Sequence, residues 1–477
     1  MKRKLIAHLE NWSISLQKKP LLLIGAKGTG KTYLALAFAN NFYDTYTYWN
    51  FENNPVNTDS LLQAGKDDLT AFFSCIQTKS KNPASSGSDT APEKHLFILD
   101  EIFFCPKSES IITKLLEFYP DGDILAVSSI MPALSCTHID KWEEDFQVLK
   151  LYPMDFEEFL MATGNEWYIE VIKEEYRSGR SIPEIVHSEL LELLEEYFCI
   201  GGLPQAVNEY ITSGCKDNIT EIHRNILYSY LFEAGIRKNE GCALKVKQIF
   251  YSLPEQLSKC NKKFQYNLIR RGATEGLFLE GHTYIKDTWF GIYNSKLTDD
   301  EIEDNRKLSE QPKNAATKIY LFDVGLYHSL CDMTGIKKDK DYREGVLETY
   351  TAEALTASGI DFSYWETASG SCSLFLLNKA ADEPLMPASD LGEEYDDSMG
   401  YHSKEYRPLG YSPRGYYPME IREKGGNRSK VLASFRERHP DIQTAIKITA
   451  DKKENEKKTE SVQTLSLYSI FCLGPMA

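Results

Sequence analysis

The stretch Gly25-Ala26-Lys27-Gly28-Thr29-Gly30-Lys31-Thr32 fits the pattern Gly-x-x-x-x-Gly-Lys-Ser/Thr. The apolar residues 21–24 come directly before it, and a helical pattern from residue 31 to about residue 41 follows it. Between a strand and a helix, this pattern forms a loop whose backbone N–H groups turn toward a nucleotide's β-phosphate. The stretch therefore predicts a P-loop NTPase fold of the α/β class, a parallel sheet with helices on both faces.

The residues of this loop have distinct expected roles. Glycines at 25, 28 and 30 let the backbone curl around the phosphates. Lys31 adds positive charge near the β and γ oxygens, and the Thr32 hydroxyl is placed to ligate Mg²⁺. The helix N-terminus contributes further positive partial charge. We therefore expect ATP to contact Gly25, Ala26, Lys27, Gly28, Thr29, Gly30, Lys31, Thr32 and Tyr33.

A second motif, residues 95–101, is an apolar strand that ends in two carboxylates. We expect Asp100 to help Thr32 hold Mg²⁺ and Glu101 to polarise the water that attacks the γ-phosphate. Adjacent Asp and Glu favour ATP hydrolysis over a GTPase switch, since a guanine-reading Asn-Lys-x-Asp element is not evident. The sequence thus predicts Asp100 as a metal ligand and Glu101 as a catalytic base.

A third motif is the apolar run 124–127, which ends in Ser128 and Ser129. A hydroxyl at the end of a strand beside the metal strand can sense the γ-phosphate or orient water. Serine is also ordinary turn chemistry at a strand end. The catalytic and the local interpretation stay equally open for this pair.

Composition bounds the class of protein. The 477 residues leave room for roughly two to four domains. No apolar run reaches the length of a membrane span and no signal core follows the first residues, so we expect a cytoplasmic protein without membrane contacts. The ten cysteines are scattered, without metal-binding spacing. A net charge of −16 argues against non-specific nucleic-acid binding by the whole surface, although a local basic patch stays possible.

The chain divides by pattern into four regions. Alternating strands and helices predict an ATPase core over 1–152, with strands at 21–24, 45–51, 95–99, 124–128 and 148–151 and a surface loop at 78–93. Helical spacing predicts a lid over 153–240. Short helices with strand-like runs at 282–285 and 289–293 predict a winged-helix segment and linker over 241–315. The region 316–477 reads as a further α/β domain, with an insertion at 379–415.

The chain resembles a prokaryotic ATPase family related to the AAA and STAND classes, whose members join a P-loop ATPase to a C-terminal domain of unknown function with a restriction-endonuclease-like fold. Residues 22–34, 96–102, 151–160 with 201–207, and 318–326 carry the resemblance. The turn Gly202-Leu-Pro204 is similar to the Gly-x-Pro signature of STAND ATPases, which implies that Pro204 packs near the nucleotide. A helix-breaking turn without ligand contact is an equal alternative.

The resemblance also implies a nuclease-like site in the C-terminal domain, and this sequence keeps only part of it. Glu348 fits the helix glutamate, the strand 371–377 has no acid, and Glu420-x-Arg422 replaces Glu-x-Lys. Because arginine is a poor base, we expect an endonuclease-like fold without strong nuclease activity. Basic residues in this domain and in the middle segment could still meet DNA, although a solvated surface explains them as well: Arg414, Arg422, Lys424, Arg428 and Lys430, then Lys262, Lys263, Arg270 and Arg271.

These observations favour Mg²⁺-dependent ATP hydrolysis coupled to a conformational change of the C-terminal domain. The alternative is a slow ATP-dependent switch, or a DNA- or protein-binding module, since no arginine finger can be assigned beyond the candidates Arg180 and Arg237. A true nuclease is the weakest hypothesis. AAA relatives form rings and STAND relatives are often monomeric, so the oligomeric state stays open.

Overall fold

A computed structural model describes residues 2–15, 18–53, 63, 78–80, 94–105, 107–119, 122–130, 145–304, 316–367, 370, 373–378, 415–424, 429–442, 444–452 and 462–474. The chain forms two compact units. The first combines Met1–Pro153 with His282–Phe290, and the second combines Met154–Gly281 with Gly291–Ala477. The four-region division from sequence is finer than this and stays a prediction.

The first unit is built on a six-stranded sheet in the order β3-β2-β4-β5-β1-β6. Its strands are β1 (Leu21–Ile24), β2 (Thr45–Asn50), β3 (Thr78–Ser80), β4 (His95–Asp100), β5 (Asp123–Ser128) and β6 (Gln147–Lys150). All are parallel except β3, which pairs antiparallel with β2 at the edge. The predicted P-loop NTPase sheet is confirmed, and each predicted core strand lies within a residue or two of its expected position.

Apolar residues cover both faces of this sheet because successive side chains of a strand point to opposite sides. Leu21 and Leu23 pack on the side of helices α1 (Leu5–Ile14) and α2 (Lys31–Phe42). Leu22 and Ile24 pack on the other side, with a short 3₁₀ turn (Ile102–Phe104) and α3 (Ser108–Phe118). The sheet is therefore buried between two layers, which leaves the carboxyl ends of its strands to carry polar groups.

The second unit begins with a run of helices, as the helical spacing predicted. They are α4 (Phe156–Ala162), α5 (Trp167–Ser178), α6 (Glu184–Ile200), α7 (Pro204–Ser213), α8 (Lys216–Arg237), α9 (Glu240–Leu257), α10 (Tyr266–Ile269) and α11 (Glu275–Asp287), whose last residues belong to the first unit. The strand-like interpretation of 282–285 is wrong, because these residues lie inside α11. The run at 289–293 is partly right, since β7 (Gly291–Ser295) begins within it.

The remainder of the second unit contains a mixed sheet in the order β13-β12-β11-β10-β9. Strands β9, β10 and β11 are antiparallel, and β11, β12 and β13 are parallel. The elements in chain order are α12 (Asp299–Glu303), β8 (Thr317–Leu321), α13 (Val324–Thr334), α14 (Lys340–Ala357), β9 (Asp361–Glu366), β10 (Ser373–Asn378), β11 (Tyr416–Arg422), α15 (Lys430–Arg438), β12 (Ala445–Thr449), β13 (Val462–Ser466) and a 3₁₀ helix (Leu467–Leu473). β8 pairs antiparallel with β7.

Several sequence predictions fall outside the described residues. The predicted surface loop at 78–93 is wrong at its start, because residues 78–80 form β3 and pair with β2, and its remainder, 81–93, lies outside the described residues. Also outside them are residues 305–315 of the predicted linker, all but the last residue of the predicted insertion at 379–415, and the basic residues Arg414 and Arg428. Among the helices that the structure describes, none is both long and apolar enough to cross a membrane.

Candidate functional site

The phosphate loop joins β1 to α2, and glycine is required at both of its ends. A Cβ at Gly25 would lie 2.1 Å from the carbonyl oxygen of Leu151, which follows β6. Gly30 has a φ of 91°, in the left-handed region that side chains disfavour, and precedes the first residue of α2. The loop therefore closes tightly against the end of β6 and turns sharply into the helix.

Inside the loop, two side chains converge on one carbonyl group. The Lys31 ammonium donates to the Ala26 oxygen at 2.9 Å, and the Thr29 hydroxyl donates to the same oxygen at 2.9 Å. Lys31 is only 5% exposed. The Lys31 ammonium group therefore lies inside the loop, where phosphate oxygens can replace the Ala26 carbonyl as its hydrogen-bond partner.

The loop meets the acidic strand through Thr32 and Asp100. The Thr32 hydroxyl donates to Asp100 Oδ2 at 2.9 Å, and the amide of Glu101 donates to Asp100 Oδ1 at 3.1 Å. Asp100 is buried at the carboxyl end of β4. The structure thus brings together the two residues expected to hold Mg²⁺.

Two residues of the neighbouring strand β2 complete the surroundings of Asp100, and sequence analysis missed both. The Tyr48 hydroxyl donates to Asp100 Oδ2 at 2.8 Å, and Asn50 Nδ2 donates to the same oxygen at 3.1 Å. Asn50 lies directly beside Asp100 in the parallel register of β2 and β4. Burial and the nearby Asp100 charge raise the pKa of Tyr48, so its hydroxyl keeps the proton that it donates. The available signal was Asn50, a polar residue at the carboxyl end of β2, two positions after Tyr48.

Glu101 follows Asp100 in an unusual backbone conformation. Its φ is 51°, which is left-handed and costs a residue with a side chain about 1–2 kcal/mol. Strain of this kind is concentrated at functional sites. The side chain is buried, and burial raises its pKa, although the Lys31 charge partly offsets the effect. The Glu101 carboxyl group therefore has a pKa above its usual value, so it takes up a proton more readily than an exposed glutamate does.

The two serine candidates differ in their surroundings. The Ser128 hydroxyl donates to the Ile130 carbonyl at 2.8 Å and so belongs to a local turn. The Ser129 amide donates to Glu101 Oε2 at 3.1 Å. Of the two, Ser129 is the residue that the structure connects to the proposed base, and hydrogen bonds from its backbone and its side chain act to lower the pKa of Glu101.

The remaining predicted nucleotide contacts lie in different surroundings. The Tyr33 side chain is 65% exposed at the start of α2. The Lys27 ammonium lies 3.6 Å from a Glu52 oxygen. Pro204 is the first residue of α7 in the second unit, and its contact with a nucleotide stays a prediction.

The turn before Pro204 is fixed by contacts within the second unit. The Gly202 amide donates to Asp323 Oδ2 at 2.7 Å, and the Met154 amide donates to the Gly202 carbonyl at 2.7 Å. A Cβ at Gly202 would lie 1.9 Å from the Met154 oxygen. Burial raises the pKa of Asp323 to about 6. Hydrogen bonds from backbone N–H groups, of which those of Leu326 and Gly202 have the largest effect, act in the opposite direction and are outweighed. The turn therefore has a clear structural role whatever its ligand contacts.

The two glutamates at the nuclease-like positions, Glu348 and Glu420, form ion pairs with lysine and arginine side chains. Glu348 accepts from Lys318 at 3.0 Å and from the Tyr320 hydroxyl at 2.7 Å, and Lys262 lies 3.5 Å from its other oxygen. Burial acts to raise the pKa of Glu348, but Lys318 and Lys262 outweigh it and lower this pKa to about 2. Glu420 is paired with Arg422 at 2.6 Å. Within the described part of the chain, no group of three or more His, Cys, Asp or Glu residues is arranged to hold a metal.

The basic candidates divide by exposure. Lys262 is only 5% exposed and lies between Glu344 and Glu348, so the idea that it faces DNA is wrong. Lys263, Arg270, Arg271 and the candidate finger Arg180 are exposed. The other candidate finger, Arg237, is paired with Glu233 at 2.6 Å on its own helix.

Comparisons with known proteins agree with this geometry over the first unit. Residues 17–160 match a family model described as an AAA domain, and residues 191–340 match one described as a domain of unknown function (DUF8612). No curated protein matches the chain.

Three solved structures are similar to the chain at low identity. They are a Walker-type ATPase of Pyrococcus abyssi (15% identity, TM-score 0.39, covering 69% of this chain and 95% of that chain), PCH-2 of C. elegans (13%, 0.26, 45% and 63%), and Drosophila ORC bound to DNA (13%, 0.23, 68% and 84%). Because these TM-scores are low, the assignment rests on the family match and the site. The AAA match includes the phosphate loop, Asp100, Glu101 and Ser129, and residues 17–160 accordingly form a P-loop ATPase domain that is similar to AAA domains.

Proposed function

We propose that the protein hydrolyses ATP with Mg²⁺ as cofactor, and that turnover changes the conformation of its C-terminal part. The observation that carries the first half is the 2.9 Å hydrogen bond from Thr32 to Asp100. It supports a single position at which a hydroxyl from the loop and a carboxylate from the acidic strand can act on the same ligand.

The residues at that position fit magnesium. A hydroxyl and a carboxylate are the hard oxygen ligands that Mg²⁺ prefers, and its remaining ligands are commonly waters and phosphate oxygens. Bound Mg²⁺ neutralises negative charge that develops on the transferred phosphate. Tyr48 and Asn50 hold Asp100 in a fixed orientation, as the second shell of a metal site requires.

The protein groups then divide the remaining work. The amides of the loop and the Lys31 ammonium bind the β- and γ-phosphates, and Lys31 gives up the Ala26 carbonyl to do so. Glu101 accepts the proton of the attacking water, and its raised pKa favours that transfer near neutral pH. The Ser129 amide donates to one oxygen of Glu101 and helps to orient the carboxylate for this transfer.

The proposed coupling passes through the turn at Gly202. Asp323 binds the Gly202 amide, and a Cβ at Gly325 would lie 2.3 Å from the Gly201 nitrogen, so the two segments are in close contact. These segments belong to the two motifs that carry the family resemblance outside the first unit. We propose that the Gly202–Pro204 turn responds to nucleotide and that Asp323 transmits its position to α13.

The proposed C-terminal fold is an endonuclease-like domain without nuclease function. The element order α14, β9, β10, β11, with Glu348 on the helix and Glu420 on a strand, supports the proposal because the resemblance implies acids on these two elements. The ion pairs with Lys318, Lys262 and Arg422 support a structural role for both carboxylates. Plasmid cleavage with Mg²⁺ or Mn²⁺ that disappears in Glu420→Ala would contradict this part of the proposal.

Steady-state ATP hydrolysis by the full chain and two variants tests the enzymatic proposal. Lys31→Ala is expected to abolish ATP binding, whereas Lys263→Ala, which removes an exposed lysine outside the phosphate loop, serves as the matched control and should bind normally. Glu101→Gln should bind ATP and lose at least about 100-fold in kcat. Full turnover by Glu101→Gln would remove Glu101 from its role as base.

The same assay separates the enzyme from a slow switch. The pairing of Arg237 with Glu233 favours the switch, because it leaves one of the two candidate fingers occupied. Negligible turnover with tight ATP binding, with and without added DNA, would establish the switch. Turnover well above background without a partner would establish the enzyme.

A further inference from the structure

Arg3 lies two residues before α1, and its side chain is turned inward to the phosphate loop. Nη1 donates to the Thr29 carbonyl at 2.8 Å, and Nη2 donates to the Tyr152 carbonyl at 2.6 Å. Arg3 is 8% exposed. A single guanidinium therefore connects the loop with the segment that follows β6.

The contact with Thr29 has a consequence for the next amide. The Thr29 carbonyl and the Gly30 N–H belong to one planar trans peptide, so they point in opposite directions. A donor that holds the carbonyl on one side therefore directs the N–H to the other side. Gly30 has a φ of 91° and the rotational freedom of glycine, so this peptide needs an external restraint. We propose that Arg3 is a positioning residue of the ATP site, which fixes the Gly30 amide in the orientation that binds the β-phosphate.

The second contact gives the restraint a fixed base. The Leu151 amide donates to the Ile24 carbonyl at 2.8 Å, and the Leu151 oxygen approaches Gly25 so closely that no Cβ fits. The segment 151–152 is thus the wall against which the loop begins. Because Arg3 binds the carbonyl groups of both Thr29 and Tyr152, it connects the end of the phosphate loop with the segment 151–152 that packs against the start of the loop.

The chemistry of arginine suits this position better than that of lysine. A planar guanidinium presents several N–H donors in a rigid fork and can hold two carbonyls at fixed angles. A lysine ammonium is a point charge on a flexible stem, so it can satisfy one carbonyl without fixing the plane of either peptide. Arg3→Lys should therefore retain part of the ability to position the Gly30 amide, and Arg3→Gln should retain little of it.

The inference rests on ATP binding by the phosphate loop, and the ratio of ADP to AMP affinity tests it separately. ADP has the β-phosphate that the Gly30 amide binds, and AMP lacks it. Titration calorimetry on the full chain should show ADP binding weakened roughly tenfold in Arg3→Gln, as for the loss of one oriented hydrogen bond, with AMP affinity unchanged. Arg3→Lys should fall between wild type and Arg3→Gln. Lys2→Gln, which removes an exposed neighbouring charge, should behave as wild type.

Each outcome decides a different point. Equal fold losses for ADP and AMP in Arg3→Gln would indicate a general structural role and overturn the positioning role, and so would unchanged affinities for both nucleotides. Absence of ADP and ATP binding in the wild-type protein would overturn both this inference and the proposed function. If Arg3→Gln does not fold, the folded Arg3→Lys variant decides, and an unchanged ADP to AMP ratio in it overturns the inference.

Discussion

The Thr32 hydroxyl lies 2.9 Å from Asp100 Oδ2, so the residue after the loop lysine and the last residue of β4 meet at one point. Tyr48 and Asn50 reach the same carboxylate oxygen from β2. Four residues from three segments of chain therefore share one hydrogen-bonded cluster. Any change in this cluster should be visible in how ATP hydrolysis depends on metal.

Tyr48→Phe should raise the Mg²⁺ concentration that gives half-maximal ATP hydrolysis. The variant removes a donor that orients Asp100, and loss of a second-shell partner typically costs 10-fold or more in metal affinity. The measurement is a Mg²⁺ titration of ATPase rate at saturating ATP. Tyr43→Phe is the control, because Tyr43 also donates to an aspartate, Asp123, outside the cluster. An unchanged titration in Tyr48→Phe would show that Asp100 needs no support from Tyr48.

Glu101→Gln should stabilise the protein at neutral pH while it blocks turnover. Burial raises the pKa of Glu101 in the folded chain, so its contribution to stability is complete below the unfolded pKa and is lost as pH rises through the folded pKa. Gln stays neutral throughout and can still accept from Ser129. Thermal unfolding should therefore show a Tm gain over wild type that is larger at pH 7.5 than at pH 4.5. Glu117→Gln, an exposed carboxylate on α3, should give no such difference.

Asp323→Asn should destabilise the second unit. Asp323 Oδ1 accepts from the Leu326 amide and Oδ2 accepts from the Gly202 amide. Asn has one carbonyl oxygen, which can accept from only one of these donors, and its NH₂ group would face the other donor. A buried N–H left without its partner costs about 1–3 kcal/mol. Asp339→Asn, at the exposed N-cap of α14, is the matched control, because Asn caps helices as well as Asp does.

The same pair of variants has a defined pH dependence. The pKa of Asp323 is raised to about 6, so wild-type stability from this group falls as pH rises from about 4 to 6. The destabilisation of Asp323→Asn should therefore be larger at pH 4 than at pH 7. Chemical denaturation at the two pH values measures it, and a loss that grows toward neutral pH would contradict the assignment.

Glu348→Gln should destabilise the C-terminal sheet by about 3–5 kcal/mol, since it leaves the buried Lys318 and Lys262 without their shared carboxylate. The pKa of Glu348 is lowered to about 2, so this stabilisation is present above about pH 4.5 and is lost as pH falls through 2. Urea unfolding at pH 7 checks the magnitude. Glu344→Gln, a more exposed neighbour of Lys262, should cost much less.

The first unit was largely predictable because its signals are local. The loop Gly25–Thr32 and the pair Asp100–Glu101 are contiguous, and their strand and helix context can be read from a short window. Tyr48 and Asn50 were missed because their role depends on the register of β2 against β4, which no local pattern encodes. Ser128 and Ser129 could not be separated for a similar reason, since only the fold places Glu101 beside one of them.

The errors beyond residue 153 arose from distant partners and short windows. From sequence we interpreted Lys262 as an exposed basic residue. Its carboxylate partners lie on α14, more than 80 residues later in the chain. Residues 282–285 read as a strand because a four-residue window cannot show that Phe278, His282 and Ile285 recur at helical spacing on α11.

The contact between Gly202 and Asp323 limits where the protein can be shortened. A recombinant fragment that stops at residue 315 would keep the Gly202–Pro204 turn but lose the Asp323 carboxylate, which accepts a hydrogen bond from the Gly202 amide. Such a fragment should be prone to local unfolding near α7, so a shortened protein should keep the turn and Asp323 in one piece.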